Sequence, residues 1–163
     1  MACQKDVRIT KTTYFDLIYP AASRKSAAIL FERADALYEE LAEQYGMKHL
    51  VRMPVVISPA QDELNAYYSS APFSHIVIYD TVADEDMILF TEQFINIFRH
   101  ELVHFVTYNV HNDFWYGLER VLGDTYNPAI VTATMGFAEG SAVATESDFG
   151  EGRIHIWELF SSL

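Results

Sequence analysis

Two histidines and a glutamate, set in an apolar run, limit most strongly how this chain can fold. The run is Phe98-Arg99-His100-Glu101-Leu102-Val103-His104-Phe105. Positions four apart lie one above the other on a helix, so His100 and His104 can reach a single metal ion. Glu101 lies about 100° further around the helix than His100, beside such an ion rather than on it. The pattern predicts a helix with two zinc ligands and a general base, as in zinc hydrolases.

Composition narrows the class of protein. The 163 residues fit one domain, and a formal net charge of −12 disfavours nucleic acid and anionic membrane surfaces as partners. No apolar run reaches the roughly 20 residues that a membrane span needs, so we expect no membrane insertion. The first residues lack the apolar stretch of a signal peptide, and the chain as given is expected to be soluble. With Cys3 as the one cysteine, a zinc site must use histidine and carboxylate ligands.

Hydrophobic patterns predict a sheet in the first half of the chain. Ser23 is expected to cap a helix that runs to Tyr45 and is stopped by Gly46. Runs rich in β-branched and aromatic residues predict strands. The predicted strands are Thr12 to Tyr19, Val51 to Ser58, Asn65 to Ser70 and His75 to Asp80.

Helices dominate the second half. Acidic residues at 84–86 favour a helix start, and the apolar period carries this motif helix to Tyr108. Residues 111–126 form a connection without an assigned structure, and a last helix covers at least Met135 to Glu146. With no repeat or linker, residues 1–163 are expected to form a single α+β domain. An apolar segment at 153–160 stops soon after it begins, which indicates a domain excised from, or truncated relative to, a longer protein.

A catalytic zinc needs a third protein ligand, and the last predicted helix offers two carboxylates. Glu139 is flanked by Gly136, Gly140 and Ala142, which are small enough to admit an ion and its imidazoles. Glu146 lies two turns and about 10 Å further along. Glu139 is therefore the predicted ligand, and Glu146 either supports a ligating histidine from behind or is a solvated charge at the helix end.

The two metal elements together carry a family resemblance. His100-Glu101-Leu102-Val103-His104 with Phe137-Ala138-Glu139-Gly140-Ser141-Ala142 resembles the gluzincin metallopeptidases, in particular the thermolysin-like group. The resemblance implies a zincin-like fold with an N-terminal mixed sheet, an active-site helix and a C-terminal helix that carries the third zinc ligand. It also implies an enzyme acting on peptides or proteins, and leaves an extracytoplasmic location open.

The segment Asn65-Ala66-Tyr67-Tyr68 resembles the substrate-binding edge strand of the same family. The resemblance implies that Asn65, Ala66 and Tyr67 contact the peptide substrate. Two features depart from the family pattern. The gap from His104 to Glu139 is longer, and Val143 stands where the family has an acidic residue four positions after the ligand glutamate.

The donor that would stabilise the oxyanion is left open by the sequence. Tyr116 is preferred, since it lies in the connection beyond the motif helix, where such families often place a tyrosine. The other chemically able residues are Tyr108, His111, Tyr126 and His155.

Two classes of function remain in view. The first is a zinc-dependent peptide-bond hydrolase in which Glu101 acts as the base. The second is a non-catalytic or weakly active peptide-binding module of a larger protein that retains a zinc site, as the abrupt end of the sequence suggests. A purely structural zinc is disfavoured, because such sites usually have four protein ligands and no need for Glu101.

Overall fold

A five-stranded mixed sheet with two long helices on one face forms the described part of the chain. The computed structural model describes residues 6–59, 64–80, 87–109 and 140. The elements are β1 (Val7–Lys11), β2 (Phe15–Pro20), α1 (Arg24–Tyr45), β3 (Met53–Pro59), β4 (Asn65–Ser69), β5 (His75–Asp80) and α2 (Met87–Asn109), with a short 3-10 turn at Ala21–Ser23. The α+β class and a sheet in the first half of the chain are confirmed.

The strand order is β1-β2-β3-β5-β4. The pairs β2 with β3 and β3 with β5 are parallel, whereas β1 and β4 run antiparallel to their neighbours. Within the described residues, β4 is therefore one edge of the sheet and β1 the other. None of the described strands pairs with β4 on the side away from β5.

Alternation along the strands explains where the core lies. Every second residue of β2 and β5 is buried, because successive side chains point to opposite faces of a sheet. One face packs against α1 and α2, which also pack against each other. The largest fully buried side chains include Phe15, Leu17, Leu30, Tyr38, Leu41, Ile76, Ile78, Phe94, Phe98 and Phe105.

The predicted helix between residues 23 and 45 is confirmed, with one difference at its start. Gly46 ends α1 in the left-handed conformation, at φ 70°, as the sequence predicts. Ser23 occupies the capping position, but its side chain makes no capping hydrogen bond. Ser23 is buried, and the hydroxyl of Ser26 donates a hydrogen bond of 2.9 Å to Asp80 of β5. Burial raises the pKa of Asp80, and the two serine hydroxyls oppose that rise.

The strand predicted from Thr12 to Tyr19 is confirmed from Phe15 onward, but its first three residues form the turn that joins it to β1, a strand that the sequence did not predict. β1 and β2 form a hairpin whose turn is held by Asp35 of α1. The carboxylate accepts hydrogen bonds from Thr12 Oγ1 at 2.6 Å, from the Thr13 amide at 2.7 Å and from the Tyr14 amide at 3.2 Å. A long-range carboxylate that binds backbone amides overrides the β propensity of these residues.

The remaining elements agree with the sequence apart from their ends. β3 begins at Met53 instead of Val51, and the Val51 amide donates to the hydroxyl of Tyr38. Burial raises the pKa of Tyr38 to about 12. α2 contains the whole motif, while the acidic cluster expected at its start lies outside the described residues. Of the predicted last helix, Gly140 is described and is helical.

Neither of the two long helices in the described ranges combines the length and the apolarity that a membrane span requires.

Replacing Asp35 with Asn should lower the free energy of unfolding by about 1 to 3 kcal/mol at neutral pH, because two backbone amides lose a charged acceptor. Burial alone would raise the pKa of Asp35, but hydrogen bonds from Thr12, Thr13 and Tyr14 hold it below its usual value. A group with a lowered folded pKa stabilises the fold above its unfolded pKa, near 3.9, and this stabilisation is lost as pH falls through the folded pKa.

The difference in free energy of unfolding between the wild type and Asp35→Asn should therefore be largest at neutral pH and should vanish below about pH 4. Urea unfolding at several pH values measures this difference. Glu32→Gln, at an exposed position of the same helix, is the matched control and should change little. A difference in free energy of unfolding that is as large in acid as at neutral pH would contradict the assigned role of the carboxylate.

Candidate active site

α2 brings the two histidines of the motif together. His100 and His104 lie one turn apart on the same face, with their ring centroids 4.8 Å apart and their planes at 79°. The Nε2 atoms of the two rings are 3.2 Å apart. Two nitrogens that share a tetrahedral zinc at about 2.0 to 2.1 Å would be separated by roughly 3.3 Å. The pair therefore fits two ligands of one ion, and the same separation also permits a hydrogen bond between the rings.

Glu101 is held beside the histidines by the edge strand. Its side chain is largely buried, with 9% of the residue exposed, and Oε2 accepts a hydrogen bond of 2.8 Å from the backbone amide of Tyr68. This bond connects residues 33 positions apart in sequence and joins α2 to β4. A buried carboxylate with one oxygen fixed in this way is pre-oriented for proton transfer next to the two imidazoles.

Aromatic packing fixes the distance between α2 and the edge strand. The ring of Phe105 is fully buried and lies 5.6 Å from that of Tyr38 on α1 and 5.9 Å from that of Tyr68 on β4. Tyr108 stacks on Tyr68 at 5.9 Å. The rings hold the strand that binds Glu101 against the helix that carries it.

β4 places the three predicted substrate-binding residues along the edge of the sheet. Ala66 faces the helices in register with Ile78, whereas Asn65 and Tyr67 are exposed on the opposite face. The amide of Ala66 donates a hydrogen bond of 2.8 Å to the side-chain oxygen of Asn65. Tyr67 packs against Tyr79, with ring centroids 6.1 Å apart. The structure thus brings the predicted edge strand and the predicted base side by side.

The other predicted site residues lie outside the described residues. They are Tyr116, Glu139 and Glu146, together with the further donor candidates His111, Tyr126 and His155. Within residues 6–59, 64–80, 87–109 and 140, no group of three or more His, Cys, Asp or Glu side chains could hold a metal ion. Glu139 therefore stays a prediction as the third ligand.

Two contacts of the site were missed from the sequence. The bond from the Tyr68 amide to Glu101 is a backbone contact between distant elements, and no sequence pattern encodes it. The bond from the Ala66 amide to Asn65 is local, and the known tendency of Asn side chains to bind nearby backbone groups is the signal that could have suggested it.

Comparisons with known proteins name no activity. No family model matches the chain, and no solved structure matches it. An uncharacterized protein of Treponema pallidum (strain Nichols) is 32% identical over 157 residues, which cover 94% of this chain and 13% of that protein. The chain thus spans about an eighth of the length of the curated relative that it matches. A functional assignment therefore has to come from the residues of the site.

Phe105→Ala should destabilise the protein by about 3 to 5 kcal/mol, because it removes a fully buried ring between α1, α2 and β4. Phe105→Leu retains much of the apolar volume and should cost less than half as much. Chemical denaturation of the two variants and the wild type measures both losses. A loss well below about 3 kcal/mol for Phe105→Ala would show that the ring is not what holds α2 to the edge strand.

Proposed function

We propose that this chain is a zinc-dependent peptide-bond hydrolase of the gluzincin type with a zincin-like fold. The observation that carries the proposal is that α2 holds two paired histidines together with a carboxylate that the edge strand orients. The Nε2 atoms of His100 and His104 lie 3.2 Å apart, and the buried Glu101 beside them is fixed by the edge strand through Tyr68. A pair of core histidines has no need of an adjacent, oriented carboxylate, whereas a hydrolytic site does.

His100, His104 and Glu139 are the residues that would hold the zinc. When bound, zinc polarises the substrate carbonyl and lowers the pKa of a coordinated water toward about 7. Neutral imidazoles and one carboxylate are the donor set of many catalytic zinc sites, and they leave one position for water. Glu146 is proposed to support a ligating histidine by a hydrogen bond from behind.

Glu101 is proposed to carry the proton. It accepts a proton from the attacking water as the water oxygen bonds to the carbonyl carbon, and it delivers that proton to the amide nitrogen as the carbon–nitrogen bond breaks. The Tyr68 amide keeps one oxygen of Glu101 in place and thereby orients the carboxylate for the transfer. Tyr116 is the proposed donor to the oxyanion.

The substrate is proposed to be a peptide or protein that lies extended along β4. An edge strand offers unpaired backbone groups to which such a segment can add, and side chains at alternate positions then set selectivity. Asn65, Ala66 and Tyr67 are the proposed contact residues. The strong negative charge of the chain makes nucleic acid an unfavourable partner.

The position of β4 at an edge of the described sheet also favours the second candidate, a peptide-binding module without strong catalysis. A sheet edge binds peptides whether or not a reaction follows. Binding of peptides by the zinc-loaded wild type, with no cleavage of any of them, would decide for this second function.

About one zinc ion should bind per protein molecule and raise the melting temperature, because a ligand that binds only the folded state stabilises it. His104→Ala should remove this rise, since one remaining histidine is a poor site. His75→Ala is the matched control, because His75 lies on β5, on the sheet face away from the helices, and bonds the Phe73 carbonyl. Thermal melts with and without zinc, paired with metal analysis, measure both. A zinc-induced rise that survives in His104→Ala would rule out the assigned ligands.

Glu101→Gln should retain zinc and lower the rate of peptide cleavage by about 100-fold or more, because the amide can accept the Tyr68 hydrogen bond but cannot carry a proton. Glu92→Gln, at an exposed position on the same helix, should cleave like the wild type. Cleavage is followed with a mixed peptide library by mass spectrometry. Full activity in the zinc-loaded Glu101→Gln variant would refute the mechanism.

A further inference from the structure

The direction of the backbone groups on β4 follows from its hydrogen bonds. In an antiparallel pair, residues alternate between those that bond across to the partner and those whose amide and carbonyl point away. The Tyr68 amide bonds Glu101, so it points away from β5, and Ala66, two positions earlier, has the same orientation. The amides of Ala66 and Tyr68 are thus the two donors that β4 presents at the sheet edge.

Both of these donors are engaged within the chain. The Tyr68 amide is committed to the carboxylate of Glu101, which orients the proposed base. The Ala66 amide is bonded at 2.8 Å to Oδ1 of Asn65, an exposed side chain with room to move away. A peptide carbonyl that pairs with β4 at Ala66 must therefore replace the side chain of Asn65.

We infer that Asn65 is the residue that sets the affinity of β4 for extended peptides, by competing with the peptide carbonyl for the Ala66 amide. The inference rests on the proposed pairing of peptides with β4. The Asn65 side chain then acts as a removable cap on the Ala66 amide. When a peptide binds, the hydrogen bond from this amide to Asn65 is replaced by one to a backbone carbonyl of the peptide.

The exchange explains why the cap acts on affinity. A peptide gains the hydrogen bond to Ala66 only after the bond to Asn65 is broken, so part of the binding free energy is lost. Removing the Asn65 side chain abolishes the competition and leaves the amide to water, from which a peptide carbonyl takes it more easily. The net value of one such hydrogen bond corresponds to a change in affinity of roughly two- to tenfold.

The test compares Asn65→Ala, which removes the cap, with Asn65→Asp, which retains the acceptor. Both are made in the zinc-loaded Glu101→Gln protein, so that a bound peptide is not cleaved. The probe is an uncharged, dye-labelled peptide of alternating Thr and Ala, about ten residues long so that it spans β4. A matched peptide made entirely of Pro has no backbone amide to donate and adopts polyproline II instead of a strand, and it controls for non-specific adhesion.

We expect Asn65→Ala to bind the probe roughly two- to tenfold more tightly than the parent, and Asn65→Asp to bind no more tightly than the parent. The Pro peptide should show no such gain. Amide exchange followed by NMR in the absence of peptide should be faster at Ala66 in Asn65→Ala than in the parent, because the amide has lost its acceptor. This second measurement reports on the cap itself and does not depend on cleavage.

Weaker or unchanged probe binding by Asn65→Ala would overturn the inference, because it would show that the Asn65 side chain does not lower affinity by competing for the Ala66 amide. Unchanged exchange at Ala66 would overturn it as well. Either result leaves the proposed hydrolase intact if zinc uptake and Glu101-dependent cleavage are observed. Loss of those two properties, with faster exchange at Ala66 retained, would instead count against the proposed hydrolase alone.

Discussion

The packing of α2 against the sheet is the interaction on which both the core and the candidate site depend. A chain of rings links the elements: Phe15 of β2 lies 5.7 Å from Phe98, and Phe105 lies between Tyr38 and Tyr68. Aromatic pairs of this kind add about 0.5 to 1.5 kcal/mol each to the burial of their area. Because these rings are rigid, they also fix where the next turn of α2 places His100 and His104.

Local sequence signals predicted α1, α2 and four of the five described strands, because each is encoded within its own residues. The period of α1, its stop at Gly46 and the alternation of β5 need no information from elsewhere in the chain. The turn at residues 12–14 could not be predicted in the same way. One hydroxyl and two amides of this turn are bound by Asp35, which lies 21 to 23 residues away, and only the folded structure brings them together.

In the candidate site, too, local features could be predicted from the sequence, whereas contacts between distant residues could not. The spacing of His100 and His104 predicts their convergence, since helix geometry alone brings positions four apart together, and the described structure agrees. The orientation of Glu101 depends on a strand that runs 33 residues earlier in the chain, and no motif reports it. Glu139 was proposed from its small neighbours and from family resemblance, and it lies outside the described residues.

The two hydrogen bonds on the edge of β4 also bear on how copies of this protein behave toward each other. A sheet edge with unengaged amides is a template on which a second copy can add its own edge and begin an aggregate. In β1, short length and the charged side chains of Arg8 and Lys11 disfavour pairing with a second copy. β4 has no charged side chain and instead keeps both outward amides occupied by Asn65 and Glu101. Resistance to self-association and openness to ligands are therefore set by the same two side chains, and a change that favours one acts against the other.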